Sequence, residues 1–321
     1  MNFSYPFSRY SMIKLGLFSV AYSSLWYAGK ALSIKEQILK AKELGFQGLS
    51  IECKRPVAFP LDLDKKVRKE IKEFAKSQGI ELVACESMSN FASEVMEQRE
   101  NNLAMMHDIL ELANDLEVKK VKIFAAWAGV INDIGEVAEY VPHTISRFLN
   151  YEDMKRWNRA REGIKEVCRW AKDLGITVAL QNHPPVIRWG YEDALQMVKE
   201  VNMDNLKLCL DVPLFQQKQS DEYIHEAVEA CRDLIVMSHY GAWNFEEENG
   251  EVVQKPEDWI GGVLINYRTS IKELNRINYN EYLLQEQCSP VIRNHKYGGF
   301  EENDRKNKLA TKYMKKLIAE V

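Results

Sequence analysis

The chain has 321 residues, 46% hydrophobic and 28% charged, which is apolar enough to bury one large core. A formal net charge of −4 gives no reason to expect nucleic acid or an anionic membrane as the main partner, so small molecules and other proteins remain. Six cysteines without a CxxC pair suit a reduced, cytoplasmic protein.

The apolar N-terminal run LGLFSVAYSSLWYAG is interrupted by serines and reads as a strand and its loop, with no targeting or membrane-spanning segment. SIKEQILKAKELG then places Ile34, Ile38, Ala41 and Leu44 on one helical face, ends in Gly45 for a left-handed stop, and leads into the strand FQGLSIE. The layout recurs as KKVRKEIKEFAKSQG before IELVACE, REGIKEVCRWAKDLG before ITVALQ, and SIKELNRIN before YNEYLLQE. LANDLEVKK before VKIFAAW, MDN before LKLCLD and RD before LIVMSH complete the series.

With the opening IKLGLFSV this makes eight strands, each followed by a helical stretch, the last being DRKNKLATKYMKKLIAEV. The pattern predicts an α/β fold, a single (β/α)8 TIM barrel over residues 1–321. A doubly wound open sheet is the competitor; no GxGxxG follows the first strand, which weakens its dinucleotide-binding form. Long connections at about 128–150, 240–261 and 287–301 follow the fourth, seventh and eighth strands, where barrels build their active sites.

From the second strand onward, the strand ends read Glu52, Glu86, Trp127, Gln181, Asp211, His239 and Glu286. Burying a polar group unpaired costs roughly 2–7 kcal/mol, so this ring needs compensation. Gln181, Asp211, His239 and Glu286 come from consecutive strands and form a mixed nitrogen and oxygen set with charge −2, which suits a divalent metal, Mn²⁺ before Mg²⁺, Fe²⁺, Co²⁺ or Zn²⁺. The alternative is a polar network in which His239 and the acids satisfy one another.

TVALQNH, KLCLDVP, IVMSHYGAWN and EYLLQE resemble the strand ends that hold the metal ligands of the xylose-isomerase-like barrels, the family of sugar-phosphate isomerases, ketose 3-epimerases and inosose dehydratases. The resemblance covers nearly the whole chain. It implies Gln181, Asp211, His239 and Glu286 as the ligands, with Gln181 standing where the family has glutamate. In the family's epimerases both glutamates also move protons, and a neutral amide cannot. Glu286 is then the one catalytic carboxylate of the four, and the metal suits polarisation of a substrate oxygen.

A replacement base is sought in the loop after the fourth strand, where His143 follows Pro142. His183, in the QNHPP turn, is a second candidate or a partner of the metal site. Trp127, Tyr140, Trp189, Tyr240 and Trp243 fall in active-face segments and could stack on a flat ligand. Glu52 and Glu86 could hold sugar hydroxyls or pair with Lys54, Arg55 or Lys122; His295, in VIRNHKYGG, could reach a phenolate or phosphate, or belong to a lid.

The FSYPFSRYSMIKLG opening, the QNHPP turn and VPHT are also similar to the catalytic α subunits of bacterial C-glycoside deglycosidases. That resemblance implies a lyase cleaving the carbon–carbon bond of a 3-oxo-C-glycoside with an aromatic aglycone. His143 would act on the aglycone's phenol, Glu286 on the C2 proton, and a separate small β subunit would complete a hetero-oligomer. The alternatives are a sugar isomerase or epimerase of the same barrel family, and a sugar-binding subunit without chemistry.

Overall fold

The structure, a computed structural model, describes residues 13–131, 138–140 and 151–321, with side chains inside the fourth helix described from Met154 onward. His143 and much of the 128–150 loop lie outside the described residues.

Eight parallel strands alternate with eight helices. The strands are β1 (Lys14–Phe18), β2 (Gly48–Glu52), β3 (Glu81–Glu86), β4 (Lys120–Ile123), β5 (Thr177–Gln181), β6 (Leu206–Cys209), β7 (Ile235–Gly241) and β8 (Tyr282–Glu286). The helices are α1 (Ile34–Glu43), α2 (Lys65–Gln78), α3 (Met96–Asp115), α4 (Tyr151–Asp173), α5 (Glu192–Val201), α6 (Asp221–Cys231), α7 (Tyr267–Arg276) and α8 (Phe300–Glu320). Each strand pairs with the next, and β8 pairs with β1 to close the barrel. Among the described residues, no helix is long and apolar enough to cross a membrane.

Local signals set the helix ends. Ser33 and Glu36 form a reciprocal cap at the start of α1, and Gly45 follows its end at φ 71°, as the sequence predicts. Asp64 caps α2 by accepting from the Val67 amide at 2.8 Å, and Gly79 ends it in the left-handed region at φ 70°.

Strand alternation divides the apolar side chains into two cores. Leu15, Leu17, Leu49, Ile51, Val121, Ile123, Val178, Leu180, Leu206 and Leu208 face the helices. Phe18, Ala84, Ala179, Cys209, Met237, Tyr282 and Leu284 pack in a second, smaller cluster inside the barrel. Gly16 and Gly48 make room for the latter: a Cβ on Gly48 would lie 2.5 Å from Val83 Cγ2 and 2.6 Å from Tyr282 Cε1. Because the same alternation continues to the strands' C-terminal ends, the inward positions there carry the polar ring.

Two hairpins extend this face: Phe245–Glu248 with Glu251–Gln254 after β7, and Ile292–Arg293 with Lys296–Tyr297 after β8. Val130–Ile131 and Glu139–Tyr140 pair within the loop after β4.

Candidate metal centre and active site

At the end of β5, the Gln181 amide nitrogen donates to Asp211 Oδ2 at 2.6 Å and lies 3.4 Å from His239 Nδ1. His239 Nδ1 is itself 3.0 Å from Asp211 Oδ2 and 3.9 Å from Glu286 Oε2. Asp211 Oδ1 accepts from the backbone amide of His239 at 2.6 Å. All but Glu286 are buried; Glu286, at 17% side-chain exposure, is the member of the set that opens to the barrel mouth.

The position of Asp211 is fixed by a residue the sequence reading passed over. Buried Asn182 accepts from the Asp211 amide at 2.8 Å and donates to the Asp211 and Gly190 carbonyls, both at 3.0 Å. An asparagine is the right size to satisfy a neighbouring loop's donor and acceptor at once, so the asparagine of QNHPP holds the loop after β6.

Burial works against charge here, and the partners decide the outcome. Asp211 is desolvated, yet His239 and Gln181 hold its carboxyl below the ordinary range. His239 is likewise penalised by burial, yet Asp211, Glu86 and Glu286 raise it well above its ordinary value. Glu286 is pushed up to about 7 by burial, with His239 opposing and Asp211 adding to the rise. Cys209 Sγ lies 3.5 Å from Asp211 Oδ1 and 3.6 Å from His239 Nδ1, and its ligand atom groups with theirs within 4.8 Å. Burial pushes that thiol well up, so it forms a protonated floor beneath the oxygen and nitrogen donors.

Nine buried side-chain polar atoms among the described residues lack a hydrogen-bond partner, and six of them belong to Trp26, Glu52, Glu86, Gln181 and Gln287 at this end of the barrel. Gln181 Oε1 is one of the six. A buried acceptor without a donor costs ~1–3 kcal/mol, and a cation beside Asp211 and His239 is what an amide oxygen there would satisfy. The donors therefore fit a divalent ion.

The rest of the ring differs from expectation at the end of β4. Strand β4 ends at Ile123, so the inward residue at its end is Lys122 and not Trp127, which lies in the following loop with its amide on the Ser89 carbonyl at 2.9 Å. VKIFAAW reads as one apolar run, and its period cannot show where strand pairing stops. Glu86 and Lys122 are fully buried and paired at 3.3 Å, and Glu86 Oε1 also meets His239 Nε2 at 3.2 Å. Glu52 is buried, with Lys54 at 3.4 Å and both carboxylate oxygens lacking a hydrogen bond; burial raises its pKa. Arg55 turns away to Asp62, at 2.6 Å.

Three of the active-face aromatics, Trp127, Tyr140 and Trp189, fall on one wall with His183. Half-buried His183 sits 5.3 Å from Trp127, 5.0 Å from Phe124 and 6.3 Å from Trp189, and Trp189 continues to Trp259 at 6.1 Å. Tyr140 joins this wall through Trp127 and Trp26. Trp243 packs over Gly241 and donates to Glu257 at 2.5 Å, while Tyr240 is wholly buried on Gln285. His295 is exposed in the turn of the hairpin after β8, at φ 60°.

A closed (β/α)8 barrel with a nitrogen and oxygen donor set at the C-terminal ends of its strands is the architecture of enzymes that act on small molecules over that face. The chain belongs to the xylose isomerase-like TIM barrel family, whose model matches residues 38–315. It is similar to the fructoselysine 3-epimerase of Escherichia coli O157:H7, with 23% identity over 240 residues, 72% of this chain and 78% of that protein. Its fold is similar to that of a D-psicose 3-epimerase solved in the presence of D-fructose, with TM-score 0.69 and 17% identity over 96% of this chain and all of that one. A 3-keto-D-glucoside 4-epimerase from E. coli gives TM-score 0.66 and 16% identity over 95% of this chain and 99% of that one.

Proposed function

We propose that the protein is a divalent-metal-dependent enzyme of keto-sugars, an isomerase or epimerase that works by moving a proton on the carbon beside a carbonyl. The supporting observation is the convergence of Gln181, Asp211 and Glu286, at 3.4, 3.0 and 3.9 Å, on His239 Nδ1 at the barrel mouth. The similarity to sugar epimerases favours this reading over carbon–carbon cleavage. A divalent cation held by these four, with Mn²⁺ the ion of choice, would supply Lewis acidity toward a substrate carbonyl oxygen.

Glu286 is the group that takes the proton. Its carboxylate accepts a proton from the substrate carbon, and the C–H electron pair becomes the C=C bond of an enolate as the carbonyl π pair moves to oxygen. The same carboxyl then delivers that proton to the neighbouring carbon, the former carbonyl carbon, while the adjacent hydroxyl gives its proton to the first oxygen and becomes the new carbonyl. Gln181 holds and orients but cannot exchange a proton, so the chemistry is that of a single base. One base acting on one face suits transfer between neighbouring carbons better than inversion through two opposed bases. Glu52, with two unsatisfied oxygens, and the wall of Trp127, His183 and Trp189 would bind the hydroxyls and faces of the substrate.

The test is solvent deuterium exchange into a panel of ketoses and 3-keto-glucosides with Mn²⁺ present. Exchange should occur with the wild type and fall by about 10²–10⁴-fold in E286Q. No exchange with any keto-sugar removes the reading.

The neutral Gln181 and the extended aromatic wall support a second reading, the C-glycoside lyase. There His143 assists departure of an aromatic aglycone from a 3-oxo-C-glycoside, with a small β subunit as partner. Release of free aglycone, lost in H143A with metal binding retained, would establish it; absence of release with the partner subunit and Mn²⁺ present would remove it.

A further inference from the structure

We infer that Glu86, clamped by Lys122, is the positioning residue that orients His239 within the metal centre, an inference that rests on the metal reading above. The side chains of β3, β4 and β7 meet inside the barrel, and the two nitrogens of one imidazole face opposite ways. His239 Nδ1 turns to Asp211, Gln181 and Glu286, whereas Nε2 turns to Glu86 Oε1 at 3.2 Å. A neutral imidazole that gives one nitrogen to a cation must carry its proton on the other, and a carboxylate opposite that N–H fixes both tautomer and ring orientation.

Glu86 is in turn fixed by two further groups. Ser50 Oγ donates to its Oε1, and the Lys122 ammonium lies 3.3 Å from Oε2. Lys122 is 1% exposed, and its ammonium nitrogen sits over the Phe124 ring at 3.8 Å and the Phe18 ring at 5.6 Å, so two aromatic faces hold the charged head in place as well. Phe18 closes the arrangement by stacking on His239, centroids 5.4 Å apart and planes inclined by 17°. A wholly buried lysine is costly unless paired. Its position behind the carboxylate that touches His239 gives that cost a purpose: it holds Glu86 aimed at Nε2.

The test uses Mn²⁺ alone as probe, its binding to the metal-free protein followed by the electron paramagnetic resonance of free Mn²⁺. E86A should raise the Mn²⁺ Kd by about 10–100-fold, and E86Q, whose amide oxygen still accepts from Nε2–H, by less. Wild-type Kd in both variants overturns the inference; if E86A does not fold, E86Q decides. A second readout is the ¹H–¹⁵N signal of His239 Nε2–H in metal-free protein, expected at low field in the wild type and displaced in E86Q. An unchanged signal overturns the inference. Wild-type protein that takes up no Mn²⁺ removes the metal reading alone, and the metal-free spectra then judge the Glu86–His239 couple independently.

Discussion

Gln181 and Asp211 meet across adjacent strands, amide nitrogen to carboxylate oxygen at 2.6 Å, while Gln181 Oε1 stays buried without a hydrogen bond. Replacing the amide by a carboxylate puts two like charges at that separation, which a bound cation relieves. Q181E should therefore lose about 1–3 kcal/mol of stability as the metal-free protein and bind Mn²⁺ about tenfold more tightly, ~1.4 kcal/mol. Urea unfolding with and without Mn²⁺ measures both; equal Mn²⁺ affinity in the two proteins would falsify the placement of residue 181 in the metal set.

Asn182 supplies three hydrogen bonds to the backbone that carries Asp211 and its neighbour loop. N182A leaves buried donors and acceptors unmet, and the expected cost is ~1–3 kcal/mol together with weaker Mn²⁺ binding. A variant as stable as the wild type by urea unfolding would show that the loop after β6 is held by something else.

Gly48 is tolerated by the barrel floor because it has no side chain. In G48A the new methyl meets Val83 and the Tyr282 ring, at 2.5 and 2.6 Å before relaxation, and the expected loss is ~1–3 kcal/mol. Thermal unfolding reads it. The control is G79A, where nothing lies within 4 Å of the added methyl and the cost comes from the left-handed backbone alone.

Glu257 lies beyond β7, away from the metal set, and its Oε2 accepts from Trp243, Asn244 and Trp259. Burial pushes its carboxyl up from 4.5 to about 7, against those hydrogen bonds. Between these two values the folded protein holds a proton that the unfolded chain has released, so stability falls as pH rises through the window. E257Q should flatten that slope by up to ~3 kcal/mol, read as the difference from wild type in urea unfolding at pH 4.5, 6 and 8. Parallel wild-type and E257Q curves would exclude Glu257 as the source.

Much of the fold and half of the centre were legible in the chain itself. Repeating helix-to-strand units imply eight strands, and chain order makes β5 to β8 neighbours, so Gln181, Asp211, His239 and Glu286 had to share one arc. Those conclusions rest on local periodicity and on the short-range rule that successive parallel strands pair. What the tertiary structure decided is which side chains meet across the barrel. Nothing local in VACE or VKIF says that Glu86 and Lys122 turn toward a histidine 153 and 117 positions further on, or that Cys209 lies beneath it. Strand tilt and register set the height of each inward residue, and only the closed barrel fixes both. The sequence therefore determined that Gln181, Asp211, His239 and Glu286 share the ring, and closure determined their partners and put Lys122 where Trp127 was expected.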